Sequence, residues 1–284
     1  MKKVEIKSFD TTNEQLKWMY DNRKELSAQR KAITKEADSI AFVSFVVNEK
    51  GERLKAEEIP ADAEKIKIKA VINTTGLFDS HSDVHIPGLW KKSLSESKIF
   101  YLVNQHVFNF NGILSDEVKA YTEEIEWKDL GIKGLEGTTQ ALIFEATLDK
   151  NSAWFDNTEN KKLFNLYKSG KVRNHSVGMR YIKDFFCINS DAYEDEYKNW
   201  EKYYPFVANK EEVDKRNYFW AVTEAKIIEG SAVVRGSNWA TPTLSTEEIK
   251  DINVEAEHIT PTIKPSKNDT QTEQPKPIIN LNLY

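Results

Sequence analysis

The segment Lys65-Ile66-Lys67-Ile68-Lys69-Ala70-Val71-Ile72 alternates charged and apolar side chains. Successive side chains of a strand point to opposite faces, so an extended chain puts Ile66, Ile68 and Ala70 on one side and the lysines on the other. A helix would scatter the same residues around its surface. The segment is therefore a half-buried strand, and it needs a sheet with one face against a core. Other stretches join it. Ser39 to Val47 is β-branched and aromatic and runs into the turn Asn48-Glu49-Lys50-Gly51, Ile99 to Val103 reads as a buried strand, and Tyr218 to Val234 carries Trp220, Val222, Ile227, Ile228, Ala232 and Val233. Ile113 to Ser115, Leu135 to Glu136 and Ala141 to Leu148 are further strand candidates, with a helix or loop of Glu and Lys between them.

Helical spacing is confined to a few segments. Thr12 to Ala37 keeps Leu16, Met19, Tyr20, Arg23, Leu26, Arg30 and Ile33 near a 3.6-residue period with Thr12 as its expected cap, and its many charges leave only a narrow apolar stripe. Trp90 to Lys98 is predicted as one short helix. Asn160 to Ser169 is another, with Leu163, Phe164, Leu166 and Tyr167 apolar and Gly170 placed to stop it. Residues 184 to 216 are acidic and aromatic and read as an inserted, partly helical excursion. Past Ala240 the pattern decays, and the Pro-rich stretch from Ile259 to Tyr284 lacks the apolar surface to order itself. The expected organisation is an N-terminal helical extension over 1–38, a domain over 39–243 with its insertion at 184–216, and a flexible tail over 244–284. Short strands mixed with a few helices predict an α+β or β-barrel architecture rather than a doubly wound parallel sheet.

Charge and composition narrow the function. A 284-residue chain with 30% charged residues and a net charge of -5 has no basic run interleaved with aromatics, which disfavours direct nucleic-acid binding. No apolar run reaches the length of a membrane span. The positively charged start, Met1 to Lys7, is not followed by an apolar segment, so no secretory signal is expected and the chain is expected to stay in the cytoplasm. One cysteine, Cys187, excludes an internal disulfide and is expected to be a small apolar filler beside Phe185 and Phe186. Near-neutral bases are limited to His81, His85, His106, His175 and His258.

Four segments carry the chemistry. Phe78 to Leu94 contains Asp79, His81, Asp83 and the Pro87-Gly88-Leu89-Trp90 turn; Asn104-Gln105-His106 ends a buried strand; Gly170 to Met179 places Ser176 before Gly178; and Ile228-Glu229-Gly230-Ser231-Ala232-Val233-Val234 precedes Asn238-Trp239-Ala240. In this order, over about residues 66 to 243, they resemble the signatures of the HK97-type tailed-phage prohead (capsid maturation) proteases, which are related to the herpesvirus assembly proteases. The resemblance implies a β-barrel-like sheet core surrounded by a few helices, and a serine endopeptidase that cleaves scaffold and major capsid protein inside the assembling procapsid, in the host bacterial cytoplasm. It makes Ser176 the nucleophile and His106 the general base. Glu229 is the best third member, with Asp83 and Glu224 as rivals; no cofactor or metal is implied.

A serine hydroxyl needs an adjacent imidazole to take its proton, and the imidazole needs a third group to fix its tautomer. Backbone N–H groups near Val177 and Gly178 are candidates for an oxyanion hole, and Arg173 and Arg180 are either further donors or solvated strand-face residues. The chain departs from the pattern at His175, usually an apolar position, which is expected either to face solvent or to stand beside the base. His81 replaces a common glycine, and His85 is an addition. Asp79, His81, Asp83 and His85 alternate as if on one strand face, yet the loop chemistry around them argues against a metal site. Two other classes compete: a catalytically inactive capsid-assembly or scaffolding protein on the same fold, favoured by the acidic excursion and the tail, and a nucleic-acid-binding barrel, disfavoured by charge. The scaffold is expected to be a separate chain, and the oligomeric state, homo-oligomer or not, is left open by the residues.

Overall fold

The computed structural model describes residues 8–32 and 59–250. Near the N-terminus, α1 (Thr12–Asp21) is capped by Thr11, whose Oγ1 accepts from the Glu14 N–H at 3.2 Å, and α2 (Arg23–Ala32) follows after one residue. The single helix expected from Thr12 to Ala37 is thus broken at Asn22, whose side-chain amide donates to the Trp18 carbonyl at 2.8 Å and competes with the helical ladder. Thr11, not Thr12, is the cap. Residues 33–37 and the strand expected from Ser39 to Val47 lie outside the described residues.

Among the described residues nine strands follow: β1 (Lys65–Thr74), β2 (Asp83–His85), β3 (Leu102–Asn104), β4 (Ile113–Ser115), β5 (Val118–Glu126), β6 (Thr138–Asp149), β7 (Asn174–Ile188), β8 (Tyr218–Val233) and β9 (Thr243–Glu248). They make two sheets. One is antiparallel in the order β5-β6-β1-β9; the other runs β2-β8-β3-β4, with β7 pairing antiparallel along β8. In β1, Ile66, Ile68 and Ala70 are fully buried as the alternation requires. Ala70, Ile72, Leu142 and Phe144 of the first sheet meet Val177, Met179, Val222 and Ile227 of the second in one core. The sheets approach so closely at Gly230 that a Cβ there would stand 2.5 Å from the Phe144 ring. The architecture is α+β. No closed barrel forms, because among the described residues no strand of one sheet pairs with a strand of the other.

Several boundaries move. The helix expected from Trp90 to Lys98 is α3 (Lys91–Glu96), and the strand expected from Ile99 begins at Leu102, leaving Ile99 exposed. The Glu- and Lys-containing stretch expected as helix or loop is β5, whose residues from Val118 to Glu126 all pair in register with β6, and Leu135 to Glu136 is not a strand. Helix α4 (Thr158–Lys168) ends at Gly170, whose φ of +63° is the left-handed stop that glycine supplies. The excursion starts later than 184, since β7 continues to Ile188. It holds α5 (Glu194–Tyr203), a 3-10 turn over Tyr204–Phe206 and α6 (Lys210–Arg216). Trp200, Tyr203, Val207 and Val213 pack it onto Phe78, Val84, Ile86, Phe219 and Ala221. Cys187 is buried in the same cluster, and burial pushes its thiol pKa up. The tail expected from 244 begins no earlier than the end of β9, because Thr243 to Glu248 hydrogen-bond along β1; residues 251–284 lie outside the described residues. No helix among the described residues is long and apolar enough to cross a membrane.

Candidate functional site

The site is laid out by the register of β7 on β8. From Asn174 to Gly178 the pairing is regular, with Ser176 opposite Ser231 and Gly178 opposite Glu229. Directly opposed residues share a sheet face, so Ser176, Gly178, Glu229 and Ser231 all project to the same side. Ser176 and Glu229 are therefore diagonal neighbours, about 7–8 Å apart.

Strand β3 brings the imidazole. It runs parallel to β8 with Asn104 beside Ala232, and the chain then turns back through Gln105 at φ +49° and His106 at φ +60°. Neither residue is glycine, and such backbone costs on the order of 1–3 kcal/mol per residue unless its surroundings hold it. Here they do: the Gln105 N–H donates to the Ala232 carbonyl at 3.0 Å and the His106 N–H to Ser231 Oγ at 2.8 Å. The His106 ring then places Nδ1 2.6 Å from Glu229 Oε1, with the two side chains 9% and 3% exposed. Gly178 makes room for that carboxylate, since a Cβ at 178 would lie 2.0 Å from Oε1.

A carboxylate on Nδ1 fixes the neutral ring as the tautomer with its proton on Nδ1 and its lone pair on Nε2. His106 Nε2 is buried and makes no hydrogen bond, to Ser176 or to any other described residue. A buried basic nitrogen without a partner is rare in a folded protein. Ser176 itself is 6% exposed. The arrangement provides an oriented base, an acidic orienter and a hydroxyl on the same face, which is what nucleophilic catalysis requires.

The rivals for the third position are elsewhere. Asp83 pairs with Trp220 on β8, nine residues from Glu229 and so about 30 Å along the strand. There its carboxylate accepts from Tyr181 Oη at 2.5 Å and pairs with Arg30 from α2. Glu224 is held by Lys183 at 2.5 Å and Lys92 at 3.3 Å, and these lysines lower its pKa. His175 neither faces solvent nor stands beside His106. It is opposite Ala232, so it projects to the other face of the sheet. It is fully buried there, with Nε2 3.0 Å from Tyr167 Oη and Nδ1 3.3 Å from the Thr241 carbonyl. Burial lowers its pKa to about 4.

His85 is buried between Asn73 and Tyr181, while His81 is partly exposed near Asp79. Asp79, His81, Asp83 and His85 do not share one strand face, because β2 begins only at Asp83 and the Asp79 carboxylate closes the preceding turn by accepting from the His81 and Asp83 N–H groups. Among the described residues no group of three or more His, Cys, Asp or Glu side chains is arranged to hold a metal ion. Arg173 and Arg180 are exposed.

Sequence reasoning missed Ser231 as the support of the His106 backbone and Gly178 as the space for Glu229. Ser231 was within reach of a simple signal: two residues from Glu229 on a strand means the same face. Arg30 stood on the same 3.6-residue period as Leu26 and Ile33, which put it on the packed stripe but did not name Asp83 as its partner. No family model, curated protein or solved structure matches this chain.

Proposed function

We propose that the chain is a serine endopeptidase with Ser176 as nucleophile, His106 as general base and Glu229 as the carboxylate that orients it. The observation carrying this reading is the 2.6 Å contact of His106 Nδ1 with Glu229, with Nε2 unpartnered and Ser176 diagonal to Glu229 on the same face. Ser176 Oγ adds to the carbonyl carbon of the scissile peptide while its proton passes to Nε2, and Glu229 stabilises the imidazolium. The tetrahedral adduct expels the amine, which leaves with the proton from Nε2. Water activated by the same nitrogen then cleaves the acyl-enzyme, and the hydroxyl is restored.

For the oxyanion, the Val177 N–H is the favoured donor. The His175 N–H and carbonyl engage Thr241 on the side of β7 away from β8, and backbone groups two residues on point the same way, so Val177 directs its N–H out of the sheet beside Ser176. The four ordered motifs further support reading the chain as a prohead maturation protease, and in that reading the two packed sheets are a variant of the herpesvirus-protease type of core. Its substrates are then the major capsid and scaffold proteins, met inside the procapsid in the host cytoplasm.

The test needs no identified substrate. A fluorophosphonate probe should modify wild type at Ser176, read by peptide mass spectrometry, and leave Ser176→Ala unlabelled with an unchanged melting temperature. Co-expression with the capsid and scaffold chains should then show processing by wild type only. Undiminished processing by Ser176→Ala would remove the nucleophile assignment, and absence of both labelling and processing with wild type would favour the non-catalytic assembly protein.

A further inference from the structure

Resting on the serine-peptidase reading, we infer that Val107, Phe108 and Phe110 form a subsite that selects substrates with a large apolar side chain close to the scissile bond. These residues follow the base His106 directly, and they are 40%, 50% and 84% exposed. Large apolar side chains gathered at the surface mark contact with another molecule.

Their exposure is built in. The loop between β3 and β4 is cross-braced: Val107 N–H donates to the Asn104 carbonyl at 2.9 Å, Phe108 N–H to the His106 carbonyl at 3.0 Å, and Asn104 N–H to the Gly112 carbonyl at 2.8 Å. Asn109 Oδ1 accepts from the Asn111 and Gly112 N–H groups, and Asn157 and Asn160 of the α4 region both donate to the Asn111 carbonyl. The Phe108 ring packs edge-on against Tyr101 at 5.6 Å. A loop tied at this many points presents its phenylalanines to solvent by construction, at a fixed offset from the base.

Charge points to the occupant. From Ile99 to Ser115 there is no Lys, Arg, Asp or Glu, in a chain that is 30% charged. Such a surface offers nothing to a charged side chain and gains by covering an apolar one. The residue that reaches it is the substrate's own, because the phenylalanines lie within four positions of the histidine that must face the scissile bond.

The experiment digests a proteome-derived peptide library with wild type, subtracts the Ser176→Ala digest, and repeats it with a Phe108→Ser/Phe110→Ser variant. Fluorophosphonate labelling and sedimentation are run on each protein. Ser176-dependent sites should carry Leu, Ile, Val, Met or Phe within three positions of the cut. The double variant should cleave those peptides roughly 10–200-fold less efficiently while Ser176 labels as before. Sites without apolar enrichment, a preference unchanged in the variant, or labelling with no cleavage of apolar peptides would each overturn the subsite and leave the serine reading standing. Loss of a dimer in the variant, with its apolar preference retained, would assign the patch to a second copy of the chain and overturn it too. Absence of both labelling and cleavage would defeat the serine reading itself, and the subsite with it.

Discussion

The two ends of β8 each set a histidine beside a buried carboxylate, and they are built in opposite ways. At the Trp220 end, Asp83 is held by Arg30 and Tyr181, His85 by Asn73 and Tyr181, and Asp184 by Lys31 at 2.8 Å and Ser27 at 2.7 Å. The Arg30 guanidinium lies 4.8 Å over the Trp220 ring. At the Glu229 end, one histidine is gripped on one ring nitrogen only and stands on a left-handed backbone. Polar clusters tied together by ion pairs from several elements brace a fold; a cluster that keeps one basic nitrogen open and spends backbone strain to aim it is equipped for chemistry. Similar residue types thus separate by whether the charges are cross-linked by ion pairs or a basic ring nitrogen is left open.

The strongest way to break this contrast is to neutralise one carboxylate at each end. Glu229→Gln leaves the shape but removes the charge that fixes the His106 tautomer, and cleavage should fall about 10³–10⁴-fold, with a small change in melting temperature. Asp83→Asn should do the reverse, leaving the rate within a few-fold while lowering stability. A cleavage time course and a thermal scan on both variants check this, and a rate for Glu229→Gln no lower than that for Asp83→Asn would remove the orienting role from Glu229. Next in size is Arg30→Ala. It strands Asp83 in the interior, and breaking a buried pair from one side costs about 3–5 kcal/mol. Urea unfolding should show that loss, with active-site labelling retained at low denaturant.

The legible part of this molecule was whatever has a period or a local signal. The alternation in β1, the Gly170 stop of α4 and the apolar content of β8 gave those elements close to their observed places. The partly buried β5 escaped because its glutamates and lysines lie on a strand with one wet face, where residue type says little. β9 escaped because it borrows its order from pairing with β1. Of the site, the motif order named Ser176, His106 and Glu229. The left-handed turn at Gln105 and His106, the clearance at Gly178 and the inward reach of Arg30 exist only once distant strands meet.

His175 tests the braced class from a third position, behind Ser176 on the opposite face. In the folded protein its burial lowers the pKa from 6.5 to about 4, so the unfolded chain takes up a proton in a range where the folded one does not. The stabilising contribution is whole above about pH 6.5, declines as pH falls, and is gone below about pH 4, a total of about 3 kcal/mol. Urea midpoints measured from pH 7 to pH 4.5 should fall for wild type and fall less for His175→Asn. Parallel slopes for the two proteins would show that this imidazole is not the acid-sensitive brace.

The smallest effect sharpens the comparison most, because it concerns aim rather than charge. Ser231 is fully buried, and its hydroxyl accepts the His106 N–H while donating to the Val103 carbonyl at 3.3 Å. Ser231→Ala leaves Glu229 and the ring intact but orphans a buried donor, a cost of about 1–3 kcal/mol shared between folding and the turn. If the left-handed backbone exists to point Nε2, turnover should fall on the order of 10-fold with KM unchanged, since a misplaced base weakens the transition state and not the bound peptide. Ser231→Thr keeps the acceptor and should recover most of the loss. A purely structural hydroxyl would instead lower the melting temperature of Ser231→Ala while leaving kcat at the wild-type value, and the turn would then belong with the braces at the other end of β8.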